Sequence, residues 1–222
     1  CRPDTPVATP RPTPATNRPI PVSRYMVSAF ATPIANYRWP DSGELNAELA
    51  ALVLDEESRE PGVSRSNIGG WHSGLDFLDR EAPMIAALRD RIENFVTDLN
   101  EAVFSDDADR QPRDFSLEGW ANVLRDGGYN SLHSHPNSFW SGVYYVTGNN
   151  ASDEYPFSGK LELVDPRPGA SLEYVDSTRL YGRFLVNPSP GQMIVFPSWL
   201  QHFVHPCRGN EPRISIAFNA SL

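Results

Sequence analysis

The sequence predicts an α+β fold in which N-terminal helices pack on a jelly roll, a double-stranded β-helix. Three observations predict it. Long apolar stripes at helical spacing occur only before Arg110. Beyond Arg110 the chain breaks into short apolar or alternating runs separated by Gly, Pro, Asn and Asp, the pattern of antiparallel strands. Four of the five histidines gather in two tight clusters inside that second part, as expected when a barrel brings distant strands around one site.

Residues 1–24 hold seven prolines, from Pro3 to Pro21, and almost no large apolar side chains. Such a stretch cannot bury enough surface to offset its ordering entropy, so it is expected to be a disordered polyproline-like tail or an arm laid on a partner. Residues 25–222 are expected to form a single domain. The first helix is predicted over about 44–57, where Leu45, Leu49, Leu52 and Val53 form one face. A second is predicted over about 81–104, where Met84, Ile85, Leu88, Ile92, Phe95, Val96, Leu99 and Val103 keep a three-and-four rhythm. Asp79 is placed to cap it, and Pro83 is tolerated because it falls in the first turn. Both stripes read as core packing. Strands are expected mainly over 115–219: Phe115 to Leu124, Phe139 to Thr147, Gly159 to Val164, Gln192 to Phe196 and Arg213 to Phe218, which together suggest a jelly roll of the cupin kind.

A formal net charge of -9 disfavours nucleic-acid or anionic-membrane partners, both of which require basic patches. No run approaches the roughly 18 apolar residues that span a bilayer. The two cysteines, Cys1 and Cys207, give no disulfide framework, which fits a cytoplasmic location. The alternative is a lipid anchor through Cys1, since a terminal Cys with a Pro-rich tether resembles the mature end of a bacterial lipoprotein.

His133 and His135 stand two residues apart, so in extended chain they point to one side. Their anchors are then roughly 6.6 Å apart, a gap that two imidazoles can close onto one metal ion. His202, after the Pro190-Gly191 turn and the following strand, is the third candidate ligand. Eleven residues further on, Arg213 shares a strand face with Ser215. A buried arginine is costly without a carboxylate, and no acid lies on its own strand face. It therefore either awaits a ligand carboxylate, which it can grip with a bidentate guanidinium, or pairs with an acid on a neighbouring strand such as Glu162 or Asp165.

The order His133-x-His135, Ser141-Gly142-Val143-Tyr144-Tyr145, Gly191, Phe196-Pro197, His202-x-Val204-x-Pro206 and Arg213-x-Ser215 resembles the 2-oxoglutarate and Fe(II) dependent oxygenases. The likeness is closest to a subfamily of oxygenases related to prolyl hydroxylases, and it extends over roughly residues 30–222, including the stretch from Ser66 to Trp71. The resemblance implies that His133 and His202 bind iron, that Arg213 holds the distal carboxylate of 2-oxoglutarate, and that Tyr145 assists it. Asn122 resembles a position lining the cosubstrate pocket, with a satisfied structural amide as the other account. The resemblance also implies Fe(II) as cofactor, 2-oxoglutarate as cosubstrate and O2 as oxidant, with succinate released as a C–H bond is hydroxylated in an unknown small molecule or protein side chain. A homo-oligomer is possible.

At His135 the sequence departs from the family, which usually carries Asp or Glu there to complete a two-histidine, one-carboxylate triad. Three histidines with an open position also describe catalytic zinc. The alternatives are therefore a zinc hydrolase, a cupin-type dioxygenase without 2-oxoglutarate, or a non-catalytic binding module. Of the other candidates, His205 is either a partner of the site or an exposed histidine, and His72 a loop residue at its mouth or one without a role. Cys207 reads as a small packed side chain, Trp140 and Trp199 as core or channel residues, and Asp165-Pro166-Arg167 as a strand end and turn.

Overall fold

The C-terminal strands are buried on both sides because one curled sheet separates two apolar layers. The computed structural model describes residues 30–105, 114–170 and 182–222, and Thr32–Leu222 form one compact unit. The expected tail over 1–24 lies outside the described residues. Two helices, α1 (Gly43–Arg59) and α2 (Pro83–Phe104), precede most of the strands. Nine strands are described: β1 (Ala35–Arg38), β2 (Asn67–His72), β3 (Ser116–His133), β4 (Trp140–Tyr145), β5 (Leu161–Val164), β6 (Arg183–Val186), β7 (Gln192–Pro197), β8 (His202–Val204) and β9 (Arg213–Ser221). They run antiparallel in the order β1-β7-β4-β9-β3-β8-β5-β6, with β2 on the other side of β3. Among the described residues no helix is long and apolar enough to cross a membrane.

The long strand β3 makes the sheet curl. Its first half, Ser116 to Leu124, pairs with β9, whereas Asn130 and His133 pair with β8 on the opposite wall. Between them lies Gly127, whose φ of 78° suits glycine and lets the strand turn over. The residues of β9 divide by parity. Ile214, Ile216 and Phe218 pack with Leu49, Val53, Ile85, Leu88 and Ile92 of the helices, while Arg213, Ser215 and Ala217 line a pocket inside the curl. Val123 and Tyr144 join the helix layer, and their neighbours Asn122 and Tyr145 face the pocket. The smaller wall, β8, β5 and β6, closes the interior with Leu161, Leu163, Val186 and Val204, which pack in one apolar cluster with Phe196 of β7.

Three expectations are corrected. Asp79 does not cap α2: the capping position is Ala82, which makes no side-chain bond, and Asp79 sits in a short 3-10 turn (Phe77–Asp79) where it pairs with Arg89. Pro83 does occupy the first turn. The strand expected to end at Leu124 runs nine residues further and ends at His133. His72 is a buried strand residue of β2, not a loop residue. Trp140 is core, donating from Nε1 to Asn100, and Trp199 is exposed.

Candidate metal centre

His133 and His202 face each other across the β3–β8 ladder, and His135 follows two residues beyond the strand end. His135 is held there by its backbone N–H, which donates to the Ser198 carbonyl at 2.9 Å. The result is one ligand atom from each imidazole, all within 4.8 Å of one another. Nε2 of His135 lies 3.3 Å from Nε2 of His202.

The rings are set for metal binding by their outer nitrogens. His133 Nδ1 is 2.7 Å from the Ser131 carbonyl and His202 Nδ1 is 2.9 Å from the Leu200 carbonyl. Each carbonyl accepts an Nδ1–H, which leaves Nε2 with a free lone pair aimed inward. Burial pushes His202 down to about 3, with further repulsion from His133, and pushes His135 down to about 4. His133 is lowered by the same desolvation. All three are therefore neutral donors at neutral pH, the form a metal requires.

Arg213 lies deeper, on β9, and is 3% exposed. Its Nε–H donates to the Gly159 carbonyl at 2.9 Å and Nη1 to the Ser215 hydroxyl at 3.3 Å. No carboxylate among the described residues pairs with it, since Glu162 binds Arg183 and His205, and Asp165 binds Arg167. Tyr145 lies beneath the guanidinium at 5.2 Å, fully buried. Burial raises its phenol to about 12, so it stays an O–H donor. Among the described residues Asn122 Oδ1 is buried with no hydrogen-bond partner and the buried Tyr145 hydroxyl, beside the Arg213 guanidinium, has no acceptor for its proton, a costly condition that a polar ligand would relieve.

One pocket joins these groups. It encloses about 500 Å³ including its open mouth and is lined by the three histidines, Asn122, Tyr145, Arg213 and Ser215. Three imidazole donors beside a buried guanidinium that lacks a carboxylate partner among the described residues fit a divalent metal and a dicarboxylate. Sequence reasoning missed Ser66, Trp120 and Asn130. Ser66 Oγ lies 3.4 Å from His133 Nε2 and accepts from Asn130 Nδ2 at 3.2 Å. Trp120 was legible as the residue alternating with Asn122 on one strand face. His205 belongs to the Glu162 cluster on the outer face of β5, and Cys207 packs in the interior apolar layer.

Residues 118–219 match a family model described as "Putative 2OG-Fe(II) oxygenase". No curated protein matches the chain. Among solved structures, a prolyl-4-hydroxylase from Pseudomonas putida is 17% identical with a TM-score of 0.60, covering 85% of this chain and 91% of its own. A prolyl hydroxylase from Trichoplax adhaerens, solved with a hypoxia inducible factor peptide, is 14% identical with a TM-score of 0.59, covering 85% and 83%. HygX from Streptomyces hygroscopicus, solved with nickel and 2-oxoglutarate, is 11% identical with a TM-score of 0.55, covering 86% and 83%. These likenesses establish the double-stranded β-helix fold.

Proposed function

We infer from the match over residues 118–219 and from the fold that this chain belongs to the 2-oxoglutarate and Fe(II) dependent oxygenase superfamily, and we propose that it hydroxylates a C–H bond of a small molecule or a protein side chain. The observation that carries the proposal is Arg213, buried with no carboxylate partner among the described residues in the same pocket as three converging imidazoles.

His133, His135 and His202 hold the metal through Nε2, and the Ser131 and Leu200 carbonyls keep two of the rings in the required tautomer. Arg213 anchors the distal carboxylate of 2-oxoglutarate, with the Ser215 hydroxyl orienting the guanidinium. Tyr145 donates its O–H to the same carboxylate, and Asn122 lines the same pocket. The apolar layer of Leu161, Phe196 and Val204 excludes water from the pocket. Iron and 2-oxoglutarate, when bound, supply the oxidising chemistry, converting 2-oxoglutarate and O2 to succinate and carbon dioxide while one oxygen atom enters the substrate.

A donor set of three imidazoles also suits zinc, and a zinc hydrolase is the second reading. It leaves Arg213 and Tyr145 without a ligand. The two are separated by metal analysis of protein purified without chelator, followed by an assay of succinate release with Fe(II), 2-oxoglutarate and O2. Succinate that depends on Fe(II) and disappears in His202→Ala is expected. Stoichiometric zinc with no succinate under any metal would overturn the oxygenase assignment.

A further inference from the structure

We propose that Trp120 is a positioning residue for His135, forming with His72 an aromatic wall that takes the place of the hydrogen bond by which the other two histidines are oriented. The inference rests on the metal site proposed above. Its starting point is an asymmetry among the three rings. His133 and His202 are each tied through Nδ1 to a backbone carbonyl. Among the described residues no hydrogen bond reaches Nδ1 of His135; its ring is in contact instead with the indole of Trp120, centroids 5.5 Å apart and planes inclined at 32°.

Trp120 is itself fixed. The imidazole of His72 stacks on it at 5.6 Å, nearly parallel at 9°. His72 sits opposite Asn122 in the β2–β3 ladder, so it is the diagonal neighbour of Trp120 on the pocket face. His72 Nδ1 lies 2.6 Å from the Ser73 carbonyl, and burial lowers its basicity so that it packs as a neutral ring. Ser73 is in turn bonded to Ala121, the residue after Trp120: its N–H donates to the Ala121 carbonyl, and its hydroxyl accepts the Ala121 N–H. The run His72, Trp120, His135 thus transmits the rigidity of the β2–β3 ladder to the one ligand that follows a strand rather than lying in it.

This arrangement also bears on why imidazole works at position 135. A carboxylate is too short and too polar to rest on an indole face, whereas an imidazole offers an aromatic face to it. Trp120 therefore matters to metal binding only when the ligand at 135 is aromatic.

The test is a double-substitution cycle read by Co(II) affinity and by the Co(II) ligand-field spectrum, on full-length protein whose metal-free melting temperature is measured alongside. Trp120→Leu is expected to weaken Co(II) binding about tenfold to hundredfold and to alter the spectrum, while Trp120→Phe keeps both near wild type. In a His135→Asp background Trp120→Leu should change affinity by less than about threefold. Equal losses in both backgrounds, or an unaltered spectrum in Trp120→Leu, would overturn the role of Trp120. If His135→Asp binds no Co(II), the contrast between the Phe and Leu spectra decides alone. Failure of the wild type to bind Co(II), or full binding in His135→Ala, would instead remove the metal site itself.

Discussion

Tyr145 and Arg213 are the residues whose surroundings make least sense without a ligand. A fully buried phenol with no acceptor among the described residues carries a desolvation cost. Tyr145→Phe should therefore leave the metal-free protein as stable as the wild type or more so, while weakening 2-oxoglutarate binding about tenfold or more, since a hydrogen bond to a charged group contributes about 1.5–3 kcal/mol. Thermal melts and anaerobic titration check the two halves together; a destabilised variant with unchanged affinity would contradict the assignment. At this scale the sequence was informative wherever residue type alone limits the chemistry: His133, His135, His202, Arg213 and Ser215 all line one pocket. It was silent where an ordinary residue gains its role from a neighbour across the sheet. Ser66 reaches His133 from the bend just before β2, and the partner of Glu162 turned out to be Arg183 and His205 rather than Arg213.

At the scale of elements, the small wall holds its edge together with a buried carboxylate. Burial alone would push the Glu162 carboxyl up, but hydrogen bonds from Arg183 and His205 outweigh it and hold the group below the usual carboxylate range. The unfolded chain then binds more protons than the fold at mildly acidic pH, so the contribution is complete above the unfolded value of about 4.3 and is lost as pH falls through the lower folded value. Glu162→Gln should melt below the wild type at pH 7, and the two curves should converge as pH falls below the unfolded value of about 4.3; parallel curves would contradict this. The larger wall depends on shape at Gly142, where a Cβ would land on the Phe218 ring. Gly142→Ala should cost about 1–3 kcal/mol, lowering the melting temperature by several degrees, and a neutral result would show that β4 and β9 are not packed as described. The long elements were legible because their periodicity is sustained over many residues: α1 and α2 extend to within two residues of the expected ends. The short strands β1, β6 and β8 were not, as three or four residues carry too little pattern, and the cap expected of Asp79 failed because Arg89 competes for it.

For the whole molecule, the jelly roll was readable as a class, since strand-like runs followed two helical stripes. The strand order was not, because it rests on pairings between distant segments such as β1 with β7 and β3 with both β8 and β9. That order is what carries His202 to His133 and Arg213 into the same pocket, so metal binding should stabilise the whole fold. A metal at one hundred times its dissociation constant adds about 2.7 kcal/mol, a rise of roughly 5–10 °C for a domain of this size, and none in His202→Ala. The central claim is that the three histidines and Arg213 form one cosubstrate site. Anaerobic calorimetry of the Fe(II)-loaded protein with 2-oxoglutarate tests it most directly. One-to-one binding that requires the metal is expected, weakened in Arg213→Ala by about 2–5 kcal/mol, roughly thirtyfold to several thousandfold; absent binding, or binding indifferent to Arg213, would show that these groups do not form one site.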